Sequence, residues 1–525
     1  MPPSPTRKPL VLLTVCVAVL AINIDTTIVN VALPTLGREL DASTRDLLWI
    51  VDGYNLSFAA LVLAMGSLSD RWGRRPALLT GLGGFALASG VAALVDSSEA
   101  LIALRFVMGT CAALIFPTTL SIIANAFPER RERAAALGLW GAAVGVGVAA
   151  GPVSGGVLLE HFTWHAVFWA MVPVAAVAMG LTLAFVPESR DPSVPALDRT
   201  GLAVSVAALG LLTYSVIEAP ERGWSSTPTV LGLIVAAVLL VAFVVHERRT
   251  PHPMLDVTLF RDRRFSAAAV AVTISFFALF GFIFLITQYF QFVRDFSALG
   301  TGARILPVAT SIAIASIVGG LLAPRVGTKA VVTVGMTLLG SSFLWISTVA
   351  VDAPYPTVIV PQMLLMGTGL GLISTPATES ILQVLPPARA GIGSAVNDAT
   401  RELGGTLGVA VIGSLFSSLY ADRLVEALGQ VPGGPGAADL DAAAESVAVA
   451  DALAAADPRL LDGVNEAFLL GLHTGCLVIG TMCLMGAVFS LVALPGRRFA
   501  QQVQARVEAE TGTDAGELTA ANLPG

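Results

Sequence analysis

Apolar residues in this chain fall into stretches of about 20, separated by short segments rich in arginine, proline, glycine and acid. A helix rises 1.5 Å per residue, so about 20 apolar residues cross the roughly 30 Å of bilayer hydrocarbon. Fourteen stretches meet that length, near residues 10–33, 47–66, 77–95, 101–124, 134–158, 164–186, 201–217, 229–245, 266–287, 303–322, 330–350, 356–382, 390–419 and 467–494. They are expected to be helices, because backbone donors and acceptors in lipid must be satisfied within their own segment. Arg7 and Lys8 precede the first stretch, as they would a signal peptide. That stretch is too long for one, lacks a small-residue cleavage site and is followed by further spans, so it reads as the first span.

Composition removes the soluble alternative. Of 525 residues, 55% are hydrophobic and 13% charged, with a mean hydropathy of +0.79. A soluble domain carries about 25% charged residues, so soluble domains of this total length would lack a polar surface. The fold class is therefore an all-α integral membrane protein with fourteen transmembrane helices. Lysine and arginine in the connections set its orientation. With both termini inside, 21 basic residues lie on the inner side, 7 on the outer side, and Arg105 and Arg401 within spans. The segment 420–466 then lies outside. It carries nine acidic and two basic residues and reads as a solvated acidic loop with an alanine-rich stretch that favours helix.

Chemistry narrows the reading further. The two lysines are Lys8 and Lys329, and neither follows a glycine, which excludes a G-x-x-x-x-G-K-[ST] phosphate loop. An ion gradient is the natural alternative source of energy. Cys16, Cys111, Cys476 and Cys483 all lie in spans without a C-x-x-C, and His161 and His165 lack further ligands nearby, so no metal and no cofactor are expected.

The chain also repeats itself. "GSLSDRWGRRP" at 66–76 matches "GLLAPRVGTKA" at 320–330, both at the inner end of a span. Gly66 pairs with Gly320, Arg71 with Arg325, Gly73 with Gly327 and Arg75 with Lys329. Two six-helix halves follow, 1–190 and 264–498, with two inserted helices and their connectors at 191–263 and a cytoplasmic tail at 499–525. Parallel halves place a site at their interface near the bilayer midplane.

Several segments resemble a known family. "GSLSDRWGRRP" resembles the helix 2–3 signature of the major facilitator superfamily. "NIDTTIVNVALP" at 23–34, "LIALRFVMGTCAALIFPTTLSII" at 101–123 and "GAAVGVGVAAGPVSGG" at 141–156 resemble the first-, fourth- and fifth-helix signatures of its fourteen-helix drug:proton antiporter branch. "WIVDGYNL" and "NDATRELGG" are similar to segments of exporters of quaternary ammonium and other multidrug cations.

The residues carry roles of their own. A charged carboxylate at mid-membrane costs roughly 2.5–3.5 kcal/mol on insertion scales, so Asp25 needs a partner, a wet cavity or a proton. At 100° per residue it faces away from Asn23, Thr26, Thr27 and Asn30, and with Ala18, Ala21 and Ala32. A carboxylate holds its proton more tightly in a dry site than in a wet one, so Asp25 is expected to bind and release protons as access alternates. Arg105 cannot shed its proton and needs acceptors; the resemblance implies a part in proton coupling, and a purely structural ion pair is the alternative. Glu379 is a further acid deep in its span. Asp398 and Glu402 share a helix face and, with Asn23, Asn30 and Asp52, are expected to line a substrate cavity. Arg401 offers Asp398 a counter-charge, and it departs from the resemblance, since the cation exporters that this segment resembles usually lack an arginine there.

Helix five carries two small-residue ridges, one through Gly141, Gly145, Ala149, Pro152 and Gly156, the other through Gly147, Gly151 and Gly155. Small residues let helices approach closely, and both ridges are read as a tight contact between the halves. Gly66, Asp70, Arg71, Gly73, Arg74 and Arg75 form the segment that the resemblance implies is a conformational latch. The expected function is proton-coupled export of lipophilic drugs, antibiotics or toxic cations across a bacterial plasma membrane, with no enzymatic activity. The expected partners are a lipophilic small molecule, protons and the bilayer, with no nucleic acid, acting as a monomer. A nutrient symporter of the same fold and a membrane sensor that transports nothing are the alternatives.

Overall fold

The computed structural model describes residues 7–494, apart from 41, 43, 190–197, 252, 254, 385–389, 430 and 432–433; the tail at 499–525 lies outside the described residues. Sixteen α-helices follow one another among the described residues. They are α1 (Lys8–Glu39), α2 (Thr44–Trp72), α3 (Arg74–Ala92), α4 (Ser98–Ala126), α5 (Arg130–His161), α6 (His165–Phe185), α7 (Arg199–Arg222) and α8 (Thr227–Arg249). Then come α9 (Arg263–Gln288), α10 (Ala298–Val326), α11 (Thr328–Ile346), α12 (Val360–Gln383), α13 (Ala390–Gly429), α14 (Ala437–Glu445), α15 (Val447–Ala456) and α16 (Leu461–Ala493). Polar caps start several of them: Ser97 accepts from Ala100 N at 3.3 Å, Asp198 from Gly201 N at 2.9 Å and Ser297 from Gly300 N at 3.1 Å. Each satisfies a backbone donor that the first turn leaves without a partner.

Among the described residues, thirteen helices are long and apolar enough to cross a membrane. α3 is the remaining long helix. Its 19 residues open on Arg74, Arg75 and Pro76 and include four glycines, which dilutes its apolar character. It packs between α4 and α6, and fourteen spans remain the reading once it is counted.

Two apolar clusters hold the bundle. One joins α1–α6 around Phe85, Trp164 and Phe168 and extends to Leu382 and Ala399; the other is centred on α9, α11, α12, α13 and α16 around Phe265, Phe282, Phe343 and Phe416. α7 lies against α2, with Gly210 opposite Ala60. α8 shows a broad apolar face of Val230, Leu231, Ile234, Val235 and Val238 to its surroundings. The repeated segment is realised as a repeated turn. Gly73 begins α3 at φ 105°, ψ 140°, and Gly327 begins α11 at φ 98°, ψ 141°, a region where a side chain would be strained.

The two ridges of α5 face different helices. A Cβ at Gly147 would lie 2.7 Å from Asn23, and one at Gly155 would lie 2.9 Å from Ile28, both on α1; Gly151 abuts Thr27 of α1. Gly141, Gly145 and Gly156 instead meet Ser316, Ile312 and Leu299 of α10. Only one ridge therefore reaches from α5 to the later helices, where the sequence suggested both.

Segment 420–466 is more ordered than a solvated loop. α13 continues to Gly429, α16 begins at Leu461, and α14 and α15 lie between them. Ala443, Val447, Ala450 and Ala454 are buried at helical spacing on the second apolar cluster. The acids Asp439 and Asp441 point outward.

Candidate transport site

Asp25 and Arg105 meet. Arg105 Nη1 donates to Asp25 Oδ2 at 2.7 Å, and the two side chains are 1% and 0% exposed. Arg105 Nε donates to the Ile50 carbonyl at 2.8 Å, and its guanidinium lies 4.3 Å from the Tyr54 ring centroid. Three helices, α1, α2 and α4, therefore converge on one ion pair. Asp25 Oδ1 is buried without a hydrogen-bond partner. Ala18, Ala21 and Ala32 are fully buried in the same sector, as the helical wheel required. Asn23, Thr26, Thr27 and Asn30 each donate back to the carbonyl four residues earlier on α1. Asn23 is half-buried against α5, and Asn30 is exposed.

An aromatic run leads away from this pair. Tyr54 stacks on Phe58 at 6.5 Å, Phe58 meets Phe116 edge-on at 5.9 Å, and Phe116 meets Trp140 edge-on at 5.3 Å. Trp140 Nε1 donates to Thr119 Oγ1 at 3.0 Å. The Arg401 guanidinium follows, 4.9 Å from the centroids of both Trp140 and Phe276. Its Nη2 donates to Ser374 Oγ at 3.2 Å and Thr378 Oγ1 at 3.3 Å. Asp398 Oδ1 accepts from Asn397 Nδ2 at 3.1 Å, and Asn397 Oδ1 accepts from Thr378 Oγ1 at 3.0 Å. Arg401 and Asp398 interact electrostatically, but no direct ion-pair contact joins them among the described residues. Glu402 is half-buried and lies within electrostatic reach of Tyr54. Asp52 is half-buried on α2, and its charged neighbour is Glu218 of α7.

The arginine-rich end of the bundle is tied shut across the α1–α6 and α9–α16 groups. Asp70 Oδ1 accepts from Arg74 Nη2 and from Ser121 Oγ, both at 3.2 Å. Asp70 Oδ2 accepts from Ile392 N in the first turn of α13 at 3.3 Å, where a helix N-terminus favours an anion. Arg75 Nη2 donates to the Leu183 carbonyl at 2.7 Å, Gly66 O accepts from Ser69 Oγ at 2.9 Å, and Arg71 is half-buried. Close by, Arg133 of α5 grips Glu379 of α12. Nε donates to both carboxylate oxygens at 3.1 Å, and Nη2 lies 3.0 Å from Oε1.

Sequence reasoning missed Arg133, Tyr54, Trp140 and Ser121. Arg133 sits in a basic run that reads as positive-inside charge, and the aromatic residues sit in apolar stretches where nothing marks them as polar contacts. Pro152 meets Gly302 of α10, which places the end of the fifth-helix motif at that contact.

A family model described as Major Facilitator Superfamily matches residues 15–409. The chain is 34% identical over 490 residues to a multidrug efflux pump, LfrA, of Mycolicibacterium smegmatis, covering 93% of this chain and 97% of that one. It is 32% identical over 489 residues to a tetracenomycin C resistance and export protein of Streptomyces glaucescens, covering 91% and 90%. The human organic anion transporter MFSD10 shares the fold at a TM-score of 0.61 and 16% identity, covering 93% of this chain and 100% of that one. The fold, the repeated glycine turn and these matches agree: the chain belongs to the major facilitator superfamily.

Proposed function

We propose that this protein is a proton-coupled antiporter of the fourteen-helix branch, exporting lipophilic drugs, antibiotics or toxic cations across a bacterial plasma membrane by alternating access. It acts as a monomer with both termini cytoplasmic, and its halves, 1–190 and 264–498, move about the α5–α10 contact. The observation that carries this reading is the Asp25–Arg105 pair, an ionisable group sealed among helices of a chain similar to efflux pumps.

The geometry suggests how a proton would act. A proton on Asp25 removes the anion that holds Arg105, leaving the cation with the Ile50 carbonyl and the Tyr54 ring. The α1–α2–α4 junction then loosens. A proton on Glu379 would likewise release Arg133 and, with the Asp70 contact, free the arginine-rich end. The Asp70 and Arg133 contacts support reading that end as the closed, cytoplasmic gate. Asn23, Asn30, Asp52, Asp398 and Glu402 contribute to the substrate path, and the α5 glycines keep it from leaking.

The test uses inverted membrane vesicles. An imposed proton gradient should drive accumulation of ethidium without ATP. Transport that survives an uncoupler and stops on ATP depletion refutes the proposal.

A further inference from the structure

Arg401 stands apart from the other buried arginines of the bundle. Arg105 and Arg74 each have a carboxylate in contact. Arg401 is 4% exposed, it donates to two hydroxyl oxygens, and its Nε–H is buried without a partner. One turn earlier on the same face, Asp398 is 1% exposed and its Oδ2 is also buried without a partner. Buried polar groups are normally satisfied, and each exception asks for an explanation. Here an unmet donor and an unmet acceptor sit three residues apart on α13, beside the rings of Trp140 and Phe276.

Those two gaps define a complement. An oxygen acceptor would answer the Arg401 Nε–H, and a hydroxyl donor would answer Asp398 Oδ2. A hydroxyl next to a carbonyl on a flat aromatic frame supplies both, and its ring system can lie against the aromatic run. Charge points the same way. Asp25 is neutralised by Arg105, while Arg401 brings a permanent cation to the face it shares with Asp398. A permanent dication would be repelled by that cation and brings no acceptor for Arg401.

We propose that Arg401 sets the specificity of the central site, selecting flat aromatic compounds with a hydroxy-carbonyl group over permanent dications. This rests on the drug-export reading and names its substrate class. Arginine rather than lysine matters, because only a planar guanidinium lies flat between two rings while its edge donates.

The experiment measures binding rather than transport, so a failure of selection is separable from a failure of export. Purified full-length protein is titrated with alizarin, a hydroxyanthraquinone, and with methyl viologen, a permanent dication, by equilibrium dialysis. Wild type should bind alizarin at least tenfold tighter. Arg401→Gln should lose at least tenfold for alizarin and gain for methyl viologen. Arg401→Lys, which keeps the charge, should retain methyl viologen exclusion and recover alizarin only in part. Methyl viologen binding as tightly as alizarin to wild type would overturn the proposal. So would an equal loss of both probes in a folded Arg401→Gln, or an Arg401→Lys that matches Arg401→Gln.

Discussion

Replacing Asp25 by asparagine separates a proton carrier from a structural contact. The amide oxygen can still accept from Arg105 Nη1, but the charge is gone. Arg105, 1% exposed, then keeps the Ile50 carbonyl at 2.8 Å and the Tyr54 ring at 4.3 Å, and no anion. Removing one member of a buried ion pair costs about 3–5 kcal/mol. The retained hydrogen bond places Asp25→Asn near the lower end, about a hundredfold in the folded-to-unfolded ratio at 1.4 kcal/mol per power of ten. The double variant Asp25→Asn/Arg105→Gln leaves two neutral amides and should recover most of that loss, so a thermal-unfolding cycle over the four proteins should show strong coupling. Transport should not follow stability. Neither variant can titrate at position 25, so both should fail at gradient-driven efflux and substrate-induced proton release in reconstituted vesicles. Asp25→Glu keeps the titrating group at an overpacking cost of about 1–3 kcal/mol and should keep partial transport. If efflux returns in the double variant together with stability, the pair is structural, and proton coupling must be sought at Glu379.

Asp70→Asn should insert and fold but lose most transport, because it removes the anion that receives Ile392 N and Arg74; efflux at the wild-type rate would leave those contacts without mechanical weight. Gly151→Ala should destabilise by about 1–3 kcal/mol through overpacking, since its Cβ would collide with Thr27 Oγ1 and come within 2.9 Å of the Ile24 carbonyl. Gly180→Ala, with nothing within 4 Å, should be neutral or stabilising in the same melting assay. The Asp451 carboxyl on α15 has its proton affinity raised by burial and then by Asp295. The docked helix therefore binds more protons than the free one, and its docking should weaken as pH rises through that group's titration. Protection factors across 447–456, which divide out the intrinsic pH dependence of exchange, should fall as pH rises above about 4, and constant or rising protection would contradict this.

Depth marked Asp25, because few ionisable residues occur so far inside an apolar stretch, and the resemblance of 101–123 to a fourth-helix signature marked Arg105. Their meeting was not legible, since 80 residues separate them and periodicity says nothing about which helices become neighbours. The sector of Ala18, Ala21 and Ala32 did show which side of α1 would be dry. Arg133 was hidden by its company, since a basic run at a span end has a sufficient explanation in orientation. Trp140 and Phe276 were hidden by their chemistry: in an apolar stretch an aromatic side chain looks like core until a guanidinium is found on its face. The acids of 420–466 drew the eye from the buried stripe at Ala443, Val447, Ala450 and Ala454, whose small side chains give a weak periodic signal.

The two faces of α5 differ in friction. Toward α1, branched and polar side chains of Thr27, Ile28 and Asn23 enter the glycine hollows like teeth. Toward α10, glycine meets backbone at Gly138, which faces the Ser316 carbonyl and the Ile317 Cα, and at Gly320, which faces the Ala134 carbonyl, while the Ile312 and Leu299 side chains lie against Gly145 and Gly156. Sliding past teeth requires side chains to change rotamer, whereas backbone on backbone offers few such barriers. The α1–α5 contact is thus a cog, and the backbone stretches at Gly138 and Gly320 are the smoother part of the α5–α10 contact. Relative movement should meet least resistance there.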